Sequence, residues 1–229
     1  MDVSVITCTN REHFQNNIFE NFLRQTVESK ELIIVLNNDK MDVDIWKKKA
    51  DEYSNISVMK LPESTSLGAC LNEGVKRTQF DYIAKFDDDD FYAKYYLEEA
   101  LGGFEKSNAD IVGKRTVYTF FESKQLLGVH RPFFENQSVN NVRGATLIFR
   151  KKIIQLVPFP SINKGEDGSF LWRCVRKGYK IYSTSKSNFV CVRRANVATH
   201  TERNQLLIKG CRDLIHTDDY KNIATVRAK

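Results

Sequence analysis

Four aspartates stand in a row, Asp87 to Asp90, directly after the apolar run "YIAKF". Adjacent carboxylates repel, so such a run costs stability unless water or a cation takes up the charge. Two readings are open from the residues alone. The run is an acidic helix N-terminus, where carboxylates are welcome, or it holds a hard divalent cation. One or two carboxylates suffice for Mg2+ or Mn2+, which keeps part of its shell for a substrate's phosphates. An EF-hand is excluded, because no glycine stands at the sixth loop position. Neither GxxxxGK[ST] nor GxGxxG occurs, so a glycine-rich phosphate cradle is not on offer.

The acidic run needs elements to position it. "DVSVIT", "ELIIVL", "ISVMKL" and "DYIAKF" are short apolar, β-branched runs that predict buried strands. Helical segments separate them. Phe14, Ile18, Phe19, Phe22 and Leu23 mark the first, with Thr9 and Glu12 spaced as a capping box. The alternation predicts βαβ units and an α/β fold, a mostly parallel sheet covered by helices. Ligands bind such sheets at the carboxyl ends of the strands. Thr7 to Arg11, Asn37 to Asp39 and Asp87 to Asp90 each follow a strand and are expected to meet there. Further on, Leu97 to Phe104 predicts a helix, 122–141 a long loop or hairpin, and "VRGATLIFRK" a strand. Phe170, Leu171, Cys174 and Val175 fall at helical spacing, with Gly178 as the stop.

The chain has 229 residues, 41% hydrophobic and 28% charged, which suits a single soluble domain. Its net charge of +6 suits an anionic ligand, an acidic polymer or a membrane surface. Five scattered cysteines without a CxxC pair read as reduced thiols, not a zinc site. The N-terminus has no secretory signature, and no apolar run reaches the 18 or so residues of a membrane helix. The expectation is a cytoplasmic chain, with peripheral contact to a membrane or spore surface as the other placement.

These pieces together resemble the family 2 glycosyltransferases, which have the GT-A nucleotide-sugar-binding fold. The likeness runs through about residues 3–195: "VSVITCTNR", "ELIIVLNND", "LGACLNEGVKR", "FDDDD", "VRGATLIF" and "GEDGSFLWRCVRKGYKIY", in order. It implies a nucleotide-binding half at about 1–120, an acceptor and catalytic half at about 121–200, and a C-terminal tail at 201–229. Thr7, Asn10 and Arg11 would border the base, Asn37 and Asn38 the base or ribose, and Asn72 the nucleotide-sugar. Asp87 would lie near the ribose, with Asp88 beside it. Asp89 would be the principal ligand of Mn2+ or Mg2+, joined by Asp87 and His200. Gly144 would line the donor-sugar and acceptor cleft. Asp167 would be the catalytic base and Glu166 its neighbour.

The reaction so implied moves a sugar from a nucleotide-sugar, UDP-linked in the commonest relatives, to a hydroxyl of a glycan or surface polymer, with inversion. The similarity is to bacterial enzymes of surface-polysaccharide or spore-coat glycosylation, and no nucleic-acid polymer is implied as a partner. Lys85, Arg143, Arg193, Arg194 and Arg203 are candidate cations for donor phosphates. A sugar-phosphate nucleotidyltransferase is the competing enzyme class, and a non-catalytic nucleotide-sugar-binding module the third. The former would open with a glycine-rich basic loop, and "TCTNREHF" has no glycine.

Overall fold

The computed structural model describes residues 1–194 and 198–227, without the side chains of 198–203. In chain order the elements are β1 (Val3–Thr9), α1 (Gln15–Leu23), β2 (Lys30–Leu36), α2 (Val43–Ala50), β3 (Ile56–Lys60), α3 (Leu67–Arg77), β4 (Tyr82–Lys85), β5 (Phe91–Tyr92), α4 (Tyr96–Ser107), β6 (Ile111–Gly113), β7 (Val117–Phe121), β8 (Leu126–His130), β9 (Gln137–Val139), β10 (Ile148–Arg150), α5 (Lys152–Leu156), α6 (Glu166–Arg176), β11 (Ile181–Ser183), β12 (Phe189–Arg193), α7 (Ala198–Lys209), β13 (Cys211–His216) and α8 (Tyr220–Ala224).

The main sheet runs β3-β2-β1-β4-β10-β6-β11-β9. Its first four strands are parallel, in a register that pairs Thr9 with Leu36 and Ile6 with Lys85. β10 enters antiparallel between β4 and β6. Because strand side chains alternate, Val3, Val5, Leu32 and Ile34 face one layer, with Phe19, Phe22 and Trp46. Ile6, Ile33, Val35 and Ile83 face the other, with Cys70, Phe149 and Phe170. Burial on both faces is why these strands read as near-continuous apolar runs.

A second sheet, β13-β8-β7-β12-β5, stands against the first. Residues 122–141, expected as a loop or hairpin, supply β8, which pairs with β7, and β9, which edges the main sheet. The stretch expected as a C-terminal tail, 201–229, adds β13 to β8 and packs Ala224 of α8 under Phe120 and Val190. The expected capping box does not form. Thr9 stays in β1, and the first helical turn is a 3-10 turn at Glu12–Phe14 with no side-chain cap.

A buried ion pair ties the two sheets together. Lys114, fully buried between β6 and β7, donates to Glu99 Oε2 (2.9 Å), Thr184 Oγ1 (3.0 Å) and the Ser185 carbonyl (2.9 Å). Glu99 on α4 also accepts from Ser185 and Asn188. Burial would raise the Glu99 carboxyl, but Lys114 and these donors hold it below its usual range. Removing one partner leaves a buried charge uncompensated. Lys114→Met is therefore expected to cost about 3–5 kcal/mol, read as a lower denaturation midpoint in urea.

Candidate active site

The parallel strands end at one edge. There the Asn37 N–H donates to the Thr9 carbonyl (2.8 Å), and the Phe86 N–H to the Ile6 carbonyl (3.0 Å). Asn10, Arg11, Asn37, Asp87, Asp88, Asp89, Glu166 and Asp167 line a cleft of about 540 Å³ at this edge. An adjoining cavity of about 460 Å³ shares Arg11, Asp87, Asp89 and Asp167 with it and adds Asp90, Arg143 and Gly144.

The four aspartates face different ways. Asp88 is buried: Thr9 Oγ1 donates to its Oδ2 (2.6 Å), Arg11 Nε to the same atom (3.1 Å), and Arg11 Nη2 to its Oδ1. Burial raises this carboxyl, and the Arg11 and Thr9 bonds hold it back. Asp90 turns inward to accept the Val192 N–H (2.8 Å). Burial, with the charges of Asp89 and Asp87, pushes Asp90 up to about 8. Asp87 and Asp89 face the cavities. Lys85 holds Oδ1 of Asp87 (2.7 Å) and Arg11 meets Oδ2 of Asp89 (3.0 Å). The second oxygen of each has no protein partner among the described residues.

The loop's backbone is fixed by a ladder of amides on α1. Asn17 Nδ2 donates to the carbonyls of Asp88 (2.7 Å) and Asp90 (3.0 Å), and Asn21 Nδ2 to that of Asp90 (2.9 Å). Gln25 Nε2 donates to the Ala93 carbonyl (3.0 Å), and its Oε1 accepts the Leu97 N–H (3.1 Å). The readable signal was Asn17, Asn21 and Gln25 at four-residue spacing, one helical stripe. The buried Tyr92 hydroxyl accepts the Asp87 N–H (2.8 Å) and donates to the Ala145 carbonyl (2.6 Å), joining the acidic loop to the Gly144 segment.

Asp167 arrives on the first turn of α6, after Gly165 at φ 80°. Its Oδ2 accepts from Lys85 Nζ (3.0 Å), the ammonium that also holds Asp87. Burial works against the Lys85 charge, but Asp167 and Asp87 outweigh it and hold the ammonium well above its usual range. Asp167 Oδ1 is buried with no hydrogen-bond partner. Gly144 packs directly on this carboxylate: a Cβ built there would lie 1.9 Å from Asp167 Oδ2. Glu166 is buried beside it, and burial and the Asp167 charge push its carboxyl up to about 7.

Three expected site residues stand elsewhere. Thr7 is buried inside β1, roughly 7 Å short of the strand end that Thr9 occupies. Asn38 lies beside the cleft, where its amide donates to the Asn10 carbonyl (3.1 Å). Asn72 is closed in a pair with Phe159, donating to its carbonyl (2.8 Å) and accepting its N–H (3.0 Å). Asp88 faces Arg11 and Thr9 as a structural clamp. The side chains of His200 and Arg203 lie outside the described residues. Lys85, expected among the phosphate-binding cations, is instead the bridge between two carboxylates.

The family model described as Glycosyl transferase family 2 matches residues 4–163, from β1 to the approach of α6. The chain belongs to that family. A Haemophilus influenzae protein named as an uncharacterized glycosyltransferase is 25% identical over 199 residues, 83% of this chain and 79% of its own length. A Staphylococcus aureus poly-beta-1,6-N-acetyl-D-glucosamine synthase is 25% identical over 193 residues, 77% of this chain but 46% of the synthase. Among solved structures, S. aureus TarS 1-349 in complex with UDP-GlcNAc superposes with a TM-score of 0.70 at 18% identity, covering 88% of this chain and 61% of the TarS 1-349 chain. A mannosyltransferase from Pyrobaculum calidifontis, in complex with GDP-Man and Mn2+, gives 0.65 at 15%, covering 91% and 62%. The glycosyltransferase has the α/β GT-A fold, and no helix among its described residues is long and apolar enough to cross a membrane.

Two outcomes follow from the Asp167 pocket. Gly144→Ala must displace Asp167 from Lys85. A misplacement of about 1 Å, even from a distance, can cost on the order of 10²-fold in rate, so glycosyl transfer should fall by that factor. Glu166 is raised well above the ordinary glutamate value, so the folded state binds its proton more tightly than the unfolded chain does. Its contribution to stability is full below the unfolded pKa of about 4.3 and is lost as pH rises through about 7. Melting temperatures across that interval should fall less steeply for Glu166→Gln than for the unaltered protein.

Proposed function

We propose that this chain transfers a sugar from a nucleoside-diphosphate sugar, a UDP-sugar, to a hydroxyl of a glycan or surface-polymer acceptor, by direct displacement with inversion. Asp167 is the general base. The observation that carries this reading is the Asp167 carboxylate on the wall of the groove that Asp87 and Asp89 share, with Lys85 on Oδ2 and no hydrogen-bond partner on the buried Oδ1. A hydroxyl donated to Oδ1 would satisfy that atom and lie where its proton can be taken. Lys85 holds the other oxygen, which fixes the orientation of the carboxylate.

A divalent cation fits the acidic loop. Among the described residues no three His, Cys, Asp or Glu side chains form a ready cage. Asp87 and Asp89 each keep one oxygen free, and two carboxylates suffice for an ion that takes its remaining ligands from phosphate and water. Mn2+ or Mg2+ bound there would neutralise the leaving diphosphate as a Lewis acid. Asn10, Arg11 and Asn37 line the same cleft and would border the nucleoside. The solved complexes of TarS with UDP-GlcNAc and of the mannosyltransferase with GDP-Man and Mn2+ support a nucleotide-sugar donor and a divalent ion.

The test is consumption of UDP-GlcNAc, other UDP-sugars and GDP-mannose, with Mn2+ and with Mg2+. Removing general-base help costs roughly 10²- to 10⁴-fold, so Asp167→Asn should lose turnover to that extent. The same variant should retain the rise in melting temperature given by UDP and Mn2+. If no nucleotide-sugar is consumed and no nucleotide stabilises the protein with either metal, the reading is wrong.

A further inference from the structure

Beyond Arg143 and Gly168 the groove continues into a third cavity of about 490 Å³. Arg143 lines both this cavity and the one that holds Asp167, and Gly168 on its wall is the next residue after Asp167, so the two are neighbours. Its wall carries Arg115, His130, Arg131 and Arg143, with Trp172 at 58% exposure, and no Asp or Glu among the described residues.

Arg143 faces Asp90 and Asp87 on its other side, but Arg115 and Arg131 have no carboxylate partner among the described residues. Arg115 stacks its guanidinium on Phe134 (4.5 Å), and its Nε is buried with no hydrogen-bond partner. Burial, with repulsion from Arg131, pushes the Arg115 guanidinium below its ordinary value. Burial, followed by Arg143 and Arg131, does the same to the His130 imidazole. Arg131 holds a left-handed backbone, φ 51°, a conformation that disfavours residues with a long side chain. Thr116 Oγ1 locks it there by donating to the Arg131 carbonyl (2.6 Å). Strain of this kind gathers at ligand-binding positions. Trp172 carries Arg176 at 4.7 Å over its ring and adds apolar surface at the rim.

We propose that this cavity binds the acceptor, and that the acceptor is a sugar chain bearing an anionic group, phosphate or carboxylate. The proposal rests on the glycosyl-transfer reading, because it is the position of Asp167 that makes the cavity an acceptor site. The guanidinium groups of Arg115 and Arg131 take the anion, as arginine does for both phosphate and carboxylate. A sugar ring lies towards Trp172, and the chain's hydroxyl reaches Asp167 past Arg143.

The test is calorimetric titration of the full chain with three oligomers of equal length: a phosphodiester-linked oligosaccharide, an oligogalacturonate and a neutral malto-oligosaccharide. Trp172 emission reports where they bind, because the other tryptophan, Trp46, is fully buried. At least one anionic oligomer should bind and change the emission, with the neutral one at least tenfold weaker. Which anionic oligomer binds tells phosphate from carboxylate. The Arg115→Gln/Arg131→Gln variant should lose about tenfold per charge while keeping its thermal response to UDP and Mn2+. Arg131→Gln alone, at an exposed position, should show part of the loss. The proposal is overturned if neither anionic oligomer binds, if the neutral one binds as well, or if the arginine variants bind unchanged with the UDP response intact. Absence of that UDP response in the unaltered protein would instead count against the glycosyl-transfer reading.

Discussion

One buried ammonium sets the geometry of the whole groove. Lys85, at the end of β4, holds Asp87 at 2.7 Å and Asp167 at 3.0 Å. Without a cation between them, two carboxylates in one partly buried groove would repel. With it, the first turn of α6 is drawn over the end of the parallel sheet. Gly144 is the matching constraint on the other side, since any side chain there would occupy the space of the Asp167 carboxylate. The ion bridge and the missing side chain together determine where Asp167 stands relative to the acidic loop. A buried bridge of this kind gains little stability after desolvation; its effect is to select one arrangement of two distant segments.

The four-aspartate run is a chain of alternating roles. Asp88 and Asp90 turn into the protein, one onto Arg11 and Thr9, the other onto the backbone of β12. Asp87 and Asp89 turn out. Burial and the charges of Asp89 and Asp87 push Asp90 up to about 8, which disfavours its ionised form where it stands. The inward pair thus anchors the loop to β1 and β12 with less repulsion than four ionised carboxylates would bring. Arg11 ties the two sets together by meeting both Asp88 and Asp89.

The parallel half of the fold was legible because strands buried on both faces leave continuous apolar runs, and the rule that ligands sit at strand ends then located the acidic loop. Gly144 and Asp167 were legible only through the family resemblance; their contact crosses the sheet, and no local pattern encodes it. The bridge role of Lys85 was hidden for the same reason, with its second partner 82 residues away. Thr7 and Thr9 differ by one strand repeat, and only the register against Leu36 shows which of them reaches the edge. Asn72 sits one turn along α3 from cleft-lining Leu67, yet pairs with Phe159. Two strands of the second sheet left no pattern to read, because β5 is two residues long and β13 is mostly exposed.

The amide ladder on α1 has a consequence for how the site responds to its surroundings. Asn17, Asn21 and Gln25 hold the backbone of the loop and of the segment after it through neutral hydrogen bonds, while Arg11 and Lys85 hold the loop's carboxylates. Ionic strength screens charges at the scale of a Debye length, about 8 Å in physiological salt. It leaves buried neutral hydrogen bonds almost untouched. The shape of the acidic loop is therefore insulated from salt, while its attraction for a cation is not.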